Sequence, residues 1–165
     1  MMLISDKMCK KLNKQVTNEF YASHLYLAMA CAFNSQGLKV FSKRFFMQTE
    51  EERQHALKIA KYILDVHGEV ALEGLREPSC DCSSARTMVK AALDHELLVT
   101  KQINELVGLA QEENDHATRS FLQWFVDEQV EEVGNMADLL QLMEMAGDEH
   151  ILQVEVHLAQ SMQAS

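Results

Sequence analysis

Glu50-Glu51-Glu52-Arg53-Gln54-His55 is the stretch from which the rest of this chain can be read. Within it Glu52 and His55 stand three residues apart. On a helix, residues i and i+3 share a face, so one carboxylate and one imidazole aim at the same spot. The flanking apolar residues Val40, Phe41, Phe45, Phe46, Ile59 and Ile63 recur at helical spacing, which makes a helix the setting. Oxygen and nitrogen donors converging inside a helix bundle suit iron, manganese or zinc. Alone, such a pair is common on solvated helix faces. Its meaning depends on what other segments place beside it.

Composition narrows the possibilities. A chain of 165 residues reads as one domain, 1–165, with 47% hydrophobic residues for its core. One proline and six glycines leave room for long helices. The net charge of −10 argues against a nucleic-acid partner, which would need a basic patch, and suits cations. No apolar run reaches the ~18 residues of a membrane span, and no signal peptide is evident, so no membrane is expected and the setting is cytoplasmic. Cys9, Cys31, Cys80 and Cys82 have no finger-like spacing and read as free thiols of a reducing compartment, Cys80 and Cys82 as loop thiols. The ten methionines read as core.

Along the chain, Ser5 is placed to cap a helix over about 6–34, striped by Met8, Leu12, Val16, Tyr21, Leu25, Met29 and Phe33. Asn34–Gly37 breaks it, with Gly37 as the left-handed residue. A second helix covers 38–67 and stops at His67-Gly68. At ~1.5 Å per residue each is close to ~45 Å long, a bundle length. Residues 68–83 hold the only proline, Pro78, and show no periodicity. About 15 extended residues reach ~50 Å, enough to return along the full bundle and start the third helix parallel to the second. That third helix, 84–112, begins at Ser84 and carries Met88, Leu93, Leu97, Ile103, Leu106 and Leu109. A fourth covers 116–146. In the tail Val154, Val156 and Leu158 alternate like a strand, but no partner strand exists, so 148–162 reads as a short fifth helix.

Residues equidistant from a hairpin turn lie at equal height. Glu19 and Glu52 are 33 apart with their midpoint inside the Asn34–Gly37 break. Glu96 and Gln129 are also 33 apart, with their midpoint inside the Gln111–His116 break. The two pairs share an offset of 77, so Glu19, Glu52 with His55, Glu96, and Gln129 with Glu132 can meet at one level of an all-α four-helix bundle. Buried carboxylates need cations or hydrogen bonds, which favours a dimetal site over four unrelated polar positions.

These residues resemble a known family, the bacterial non-haem ferritins, over nearly the whole chain. The resemblance is densest in Leu12-Asn13-x-Gln15-x-x-x-Glu19-x-Tyr21, Glu51-Glu52-x-x-His55, His95-Glu96, Gln102-Ile103-Asn104-Glu105-Leu106 and Phe121-Leu122-Gln123-Trp124-Phe125-Val126-x-Glu128-Gln129. The ferritin-like pattern uses a Glu from two helices and a Glu-x-x-His from the other two. Here the fourth helix offers Gln129-x-x-Glu132 instead, which is normal in the non-haem branch and makes haem unexpected. The resemblance implies a ferritin-like bundle and a ferroxidase centre. Glu19, Glu52 and His55 would bind a first iron. Glu52 would bridge to a second, held by Glu96 with Gln129 nearby. Glu51, Glu128, Glu131 and Glu132 would form a third iron position, and Tyr26 would supply an electron or a hydrogen bond.

It also implies the oxidation of Fe(II) to Fe(III) by dioxygen or peroxide, and storage of a ferric oxo-hydroxide mineral inside a homo-oligomeric shell of 24 subunits. Asp115 and His116 are candidates for a threefold pore, and His150 and His157 for a fourfold channel. His95 faces ~100° away from Glu96, which places it beside the site or at the surface rather than on a metal. Two other classes compete: a shell subunit that stores iron without oxidising it, and a dimetal peroxidase or oxygen-activating enzyme of smaller assembly.

Overall fold

α1 (Asp6–Ser35) begins where Ser5 accepts a hydrogen bond from the Met8 amide, as its N-cap position suggests. The structure, a computed structural model, describes residues 2–164. α1 and α2 (Lys39–Asp65) form one antiparallel hairpin, and α3 (Ala85–Glu112) and α4 (His116–Ala146) form the other, with α1 packed on α3. A single 3-10 turn at Asp148–His150 leads into α5 (Ile151–Ala164), which packs on α2 and α4. The chain is thus an all-α four-helix bundle with one long crossover and a short fifth helix. Among the described residues, no helix is long and apolar enough to cross a membrane.

Three of the helices stop in the same way. The Leu38, Gly68 and Asp115 amides reach back to the Phe33, Ile63 and Ala110 carbonyls, and the residues before them donate to Asn34, Leu64 and Gln111. These paired 6→1 and 5→2 bonds need one left-handed residue. Gly37 (φ 82°) supplies it for α1, as its sequence position suggested, but His67 (φ 61°) does so for α2 and Asn114 (φ 55°) for α3. α2 consequently ends at Asp65, two residues before the expected boundary. Gly68 is needed for a different reason: a Cβ there would meet Ile63 Cγ2 at 2.9 Å and Cys9 Sγ at 3.1 Å.

The crossover is tied to α1. The Asn13 side-chain amide donates to the Glu69 carbonyl (2.9 Å) and accepts from the Ala71 amide (2.7 Å), while Arg76 lies 4.1 Å over the Tyr21 ring. The free-thiol expectation fails for Cys80 and Cys82, which form a disulfide; their Cα atoms are 5.8 Å apart, within bridging range. Cys9 and Cys31 are free.

The core has two halves. One holds Tyr26, Phe33, Phe41, Phe45, Met88 and Met136, and the other Met8, Leu12, Ile59, Ile103, Leu122 and Phe125. On all four long helices the boundary between the halves is a polar layer: Gln15 and Glu19, then Gln48, Glu52 and His55, then Glu96, then Gln129 and Glu132. Several expected core residues face outward instead. Phe46, Met47, Leu97 and Met145 are exposed, because the apolar stripe of a long helix is narrower than its apolar content.

Candidate metal centre

The matched heights hold in three dimensions. Donor atoms of Glu19, Glu52 and His55 lie within 4.8 Å of one another, and all three side chains are buried. α1 supplies Glu19, and α2 supplies Glu52 and His55 one helical turn apart, with His55 Nδ1 3.2 Å from Glu52 Oε2. α3 brings Glu96 into the same layer, where it accepts a hydrogen bond from the Tyr26 hydroxyl. α4 brings Gln129, whose amide nitrogen lies 3.4 Å from Glu96 Oε2, while Thr100 donates to its oxygen at 2.9 Å.

Buried charge dominates the electrostatics. Burial, with Glu52 beside it, pushes the Glu19 carboxyl up to about 8 against a donor bond from Gln15. Burial also raises Glu52 and Glu96, and their mutual repulsion adds to the rise at Glu96. Glu132 rises to about 7, again through burial first. Among the described residues, no lysine or arginine forms an ion pair with any of the four. An uncompensated buried carboxylate costs several kcal/mol, so this layer takes up either protons or a cation. Glu19 Oε2 is buried without a hydrogen-bond partner, and the oxygen-rich donor set with one imidazole fits a divalent transition metal.

A second acidic group adjoins the first. Glu51, Glu128, Glu131 and Glu132 line a cleft of about 290 Å³ with Arg44, and its wall includes Gln48, which donates to Glu52 at 2.9 Å. Glu132 is buried, Glu128 half-buried, and Glu51 and Glu131 exposed. Of the two places the sequence allowed it, His95 takes the one beside the site and is half-buried. It packs between Tyr21 and Tyr26, each ring centroid 5.9 Å away, and burial brings it down to about 4, so it is neutral. Asp115 caps α4 by accepting from the Thr118 amide, beside exposed His116. His150 and His157 are exposed.

A sequence model for the ferritin-like domain matches residues 9–146. The chain belongs to the ferritin family. This ferritin is 37% identical to ferritin BfrB of Mycolicibacterium smegmatis over 155 residues, covering 93% of this chain and 84% of that protein. It is 33% identical to a probable bacterial non-heme ferritin-like protein of Haemophilus influenzae, covering 89% of each. Among solved structures, an open-pore ferritin from the archaeon Archaeoglobus fulgidus superposes with a TM-score of 0.92 at 39% identity, covering 96% of this chain and 98% of that one.

Two polar residues of the ferritin's central layer, Gln48 and Thr100, were not singled out from sequence, and Gln15 stood only within the resembling motif, with no role given to it. Gln15 donates to Glu19 at 2.7 Å, Gln48 to Glu52 at 2.9 Å, and Thr100 to Gln129. The glutamines carry a signal: each stands four residues before its carboxylate, one turn down the same face. Thr100 carries none, because its partner lies on another helix.

Proposed function

We propose that this ferritin oxidises Fe(II) at the Glu19–Glu52–His55–Glu96 centre and stores the product as a ferric mineral in a shell of its own copies. The observation that carries the reading is the buried Glu19, Glu52 and His55 triad, with one donor atom from each inside 4.8 Å of the others. Fe(II) is the substrate. Carboxylate oxygens are hard donors that favour Fe(III), so they ease electron loss. Four Fe(II), one dioxygen and four protons give four Fe(III) and two waters; with peroxide as product the ratio is two Fe(II) to one dioxygen. Glu52 bridges two iron positions, Tyr26 holds Glu96 through its hydroxyl, and Gln129 borders the second position. Glu51, Glu128, Glu131 and Glu132 form the third iron position in the adjoining cleft, and the setting is cytoplasmic. The relatives' names and the acidic cleft support this assignment.

The test is the double variant Glu52→Ala, His55→Ala in the assembled protein. Rapid Fe(II) oxidation, followed by ferric absorbance, should fall at least a hundredfold while assembly persists. Trp124, the one tryptophan, packs edge-on to His55 at 5.3 Å, so its fluorescence should respond to Fe(II) in the wild type and not in the variant. An unchanged oxidation rate would remove the enzymatic reading.

A further inference from the structure

The Thr100 hydroxyl lies 2.8 Å from the Glu96 backbone carbonyl and 2.9 Å from Gln129 Oε1. Both are acceptors, and a hydroxyl has one proton. It can serve only one of them at a time. When the proton goes to Gln129 Oε1, the amide nitrogen is turned toward Glu96 Oε2, 3.4 Å away. When it goes to the Glu96 carbonyl, the usual back-bond of a helical threonine, the hydroxyl oxygen becomes an acceptor. The atom facing it must then donate, so the amide turns over, places Nε2 on Thr100 and presents Oε1 to Glu96. The first arrangement pairs an amide donor with Glu96 Oε2; the second sets two oxygens face to face and is satisfied only with a proton or a cation between them, and the two differ by a half-turn of one planar amide.

The two arrangements suit different occupants. A donor facing Glu96 complements a carboxylate with no metal on it. An oxygen facing the same place complements a cation shared with Glu96. A hydroxyl can donate in one state and accept in the other without moving, which an apolar side chain of the same shape cannot do. Thr100 and Gln129 also border a mostly apolar groove with Leu97, Ile103, Val126 and Val133, in which Asn104 is the other polar side chain.

We propose that Thr100 is a positioning residue that lets the Gln129 amide turn over, presenting nitrogen to the empty centre and oxygen to the metal held by Glu96. The inference rests on the metal-centre reading above and deepens it. It predicts that Thr100 acts on one of the two metal positions, and only through Gln129. Partners that orient a metal ligand commonly change affinity 10–100-fold when removed.

The experiment is calorimetric titration of the assembled, metal-free protein with Zn(II), which binds without redox chemistry. Wild type should take up two ions at the central layer. Thr100→Val keeps the shape and removes the hydroxyl; it should weaken one position about tenfold or more and leave the other unchanged. Thr100→Ser should restore wild-type binding. On a Gln129→Ala background, Thr100→Val should have no further effect, whereas a mere packing defect would persist there. Wild-type affinity in Thr100→Val, or an equal loss with and without Gln129, overturns the proposal. Failure of the wild type to bind Zn(II) in the layer overturns the metal-centre reading and this inference with it.

Discussion

Glu19 shows how a residue's burial becomes a measurable property. In the metal-free protein its carboxyl sits at about 8, raised from 4.5 by burial and by Glu52. The folded state therefore holds the proton more tightly than the unfolded state does. That contribution to stability is complete below about pH 4.5, shrinks as pH rises, and is gone by about pH 8. Glu19→Gln mimics the protonated side chain at every pH. Denaturation midpoints of metal-free wild type and variant should therefore lie close together near about pH 5 and diverge toward about pH 8, with the variant increasingly the more stable. A constant difference across that range would mean that Glu19 stays ionised in the fold. The candidate ligand residues were legible in the sequence because helical geometry converts spacing into position: separations of 33 on two hairpins became one layer. Their hydrogen-bonded state was not legible. Nothing in the spacing of Gln129 shows that its nitrogen faces Glu96 or that Thr100 on another helix holds its oxygen. His95 does lie beside the site, half-buried against Tyr21 and Tyr26, but the spacing did not name those tyrosines as its partners.

At the scale of the elements, local signals were readable and remote ones were not. Ser5 and Ser84 cap the helices they precede, and Ser84 forms a reciprocal capping box with Thr87. α2 has no such cap, since Leu38 stands at that position. Its N-terminus is capped from α5 instead: Glu155 Oε1 accepts from the Val40 amide at 2.7 Å and the Phe41 amide at 3.2 Å. A carboxylate at a helix N-terminus satisfies unpaired amides and complements the helix dipole. Here it also fastens the last helix to the bundle, beside the buried contacts of Val154 and Leu158. The strand-like alternation of Val154, Val156 and Leu158 is resolved by that docking: the first and last are buried, and Val156 is 60% exposed. Glu155→Ala should cost about 1 kcal/mol, the usual loss for a missing cap. It should also release α5 before the bundle unfolds. Limited proteolysis reads this directly, with cleavage between Ala146 and Ile151 accelerated and the four-helix body intact; equal protection of α5 in both proteins would show that apolar contacts alone hold it.

The whole molecule sets apolar surface against charge. Leu72 on the crossover, Val130 on α4 and Leu152 on α5 are 72%, 73% and 67% exposed, on three different elements of one subunit. Single exposed apolar side chains are ordinary on any protein surface; in the closed symmetric shell proposed above, those at contacts between copies would be buried. Opposing this is a formal charge of −10 on every copy, so bringing copies together concentrates like charge. Apolar burial is indifferent to modest salt, whereas repulsion between surface charges is screened over about 30 Å at ~0.01 M and about 3 Å at ~1 M. The balance therefore shifts with ionic strength in a defined direction. Sedimentation of the metal-free protein should show smaller species gaining at ~0.01 M salt and the full shell dominating at ~1 M. A shell of 24 copies of the 18.8 kDa chain would have a mass near 450 kDa. Loading with Fe(II) should shift the low-salt distribution toward the shell if Glu51, Glu128, Glu131 and Glu132 take up cations as proposed, since these would offset charge that the assembly otherwise has to confine. A mass that stays at 18.8 kDa across the whole salt range would defeat the storage-shell reading, since a single chain has nowhere to keep a mineral.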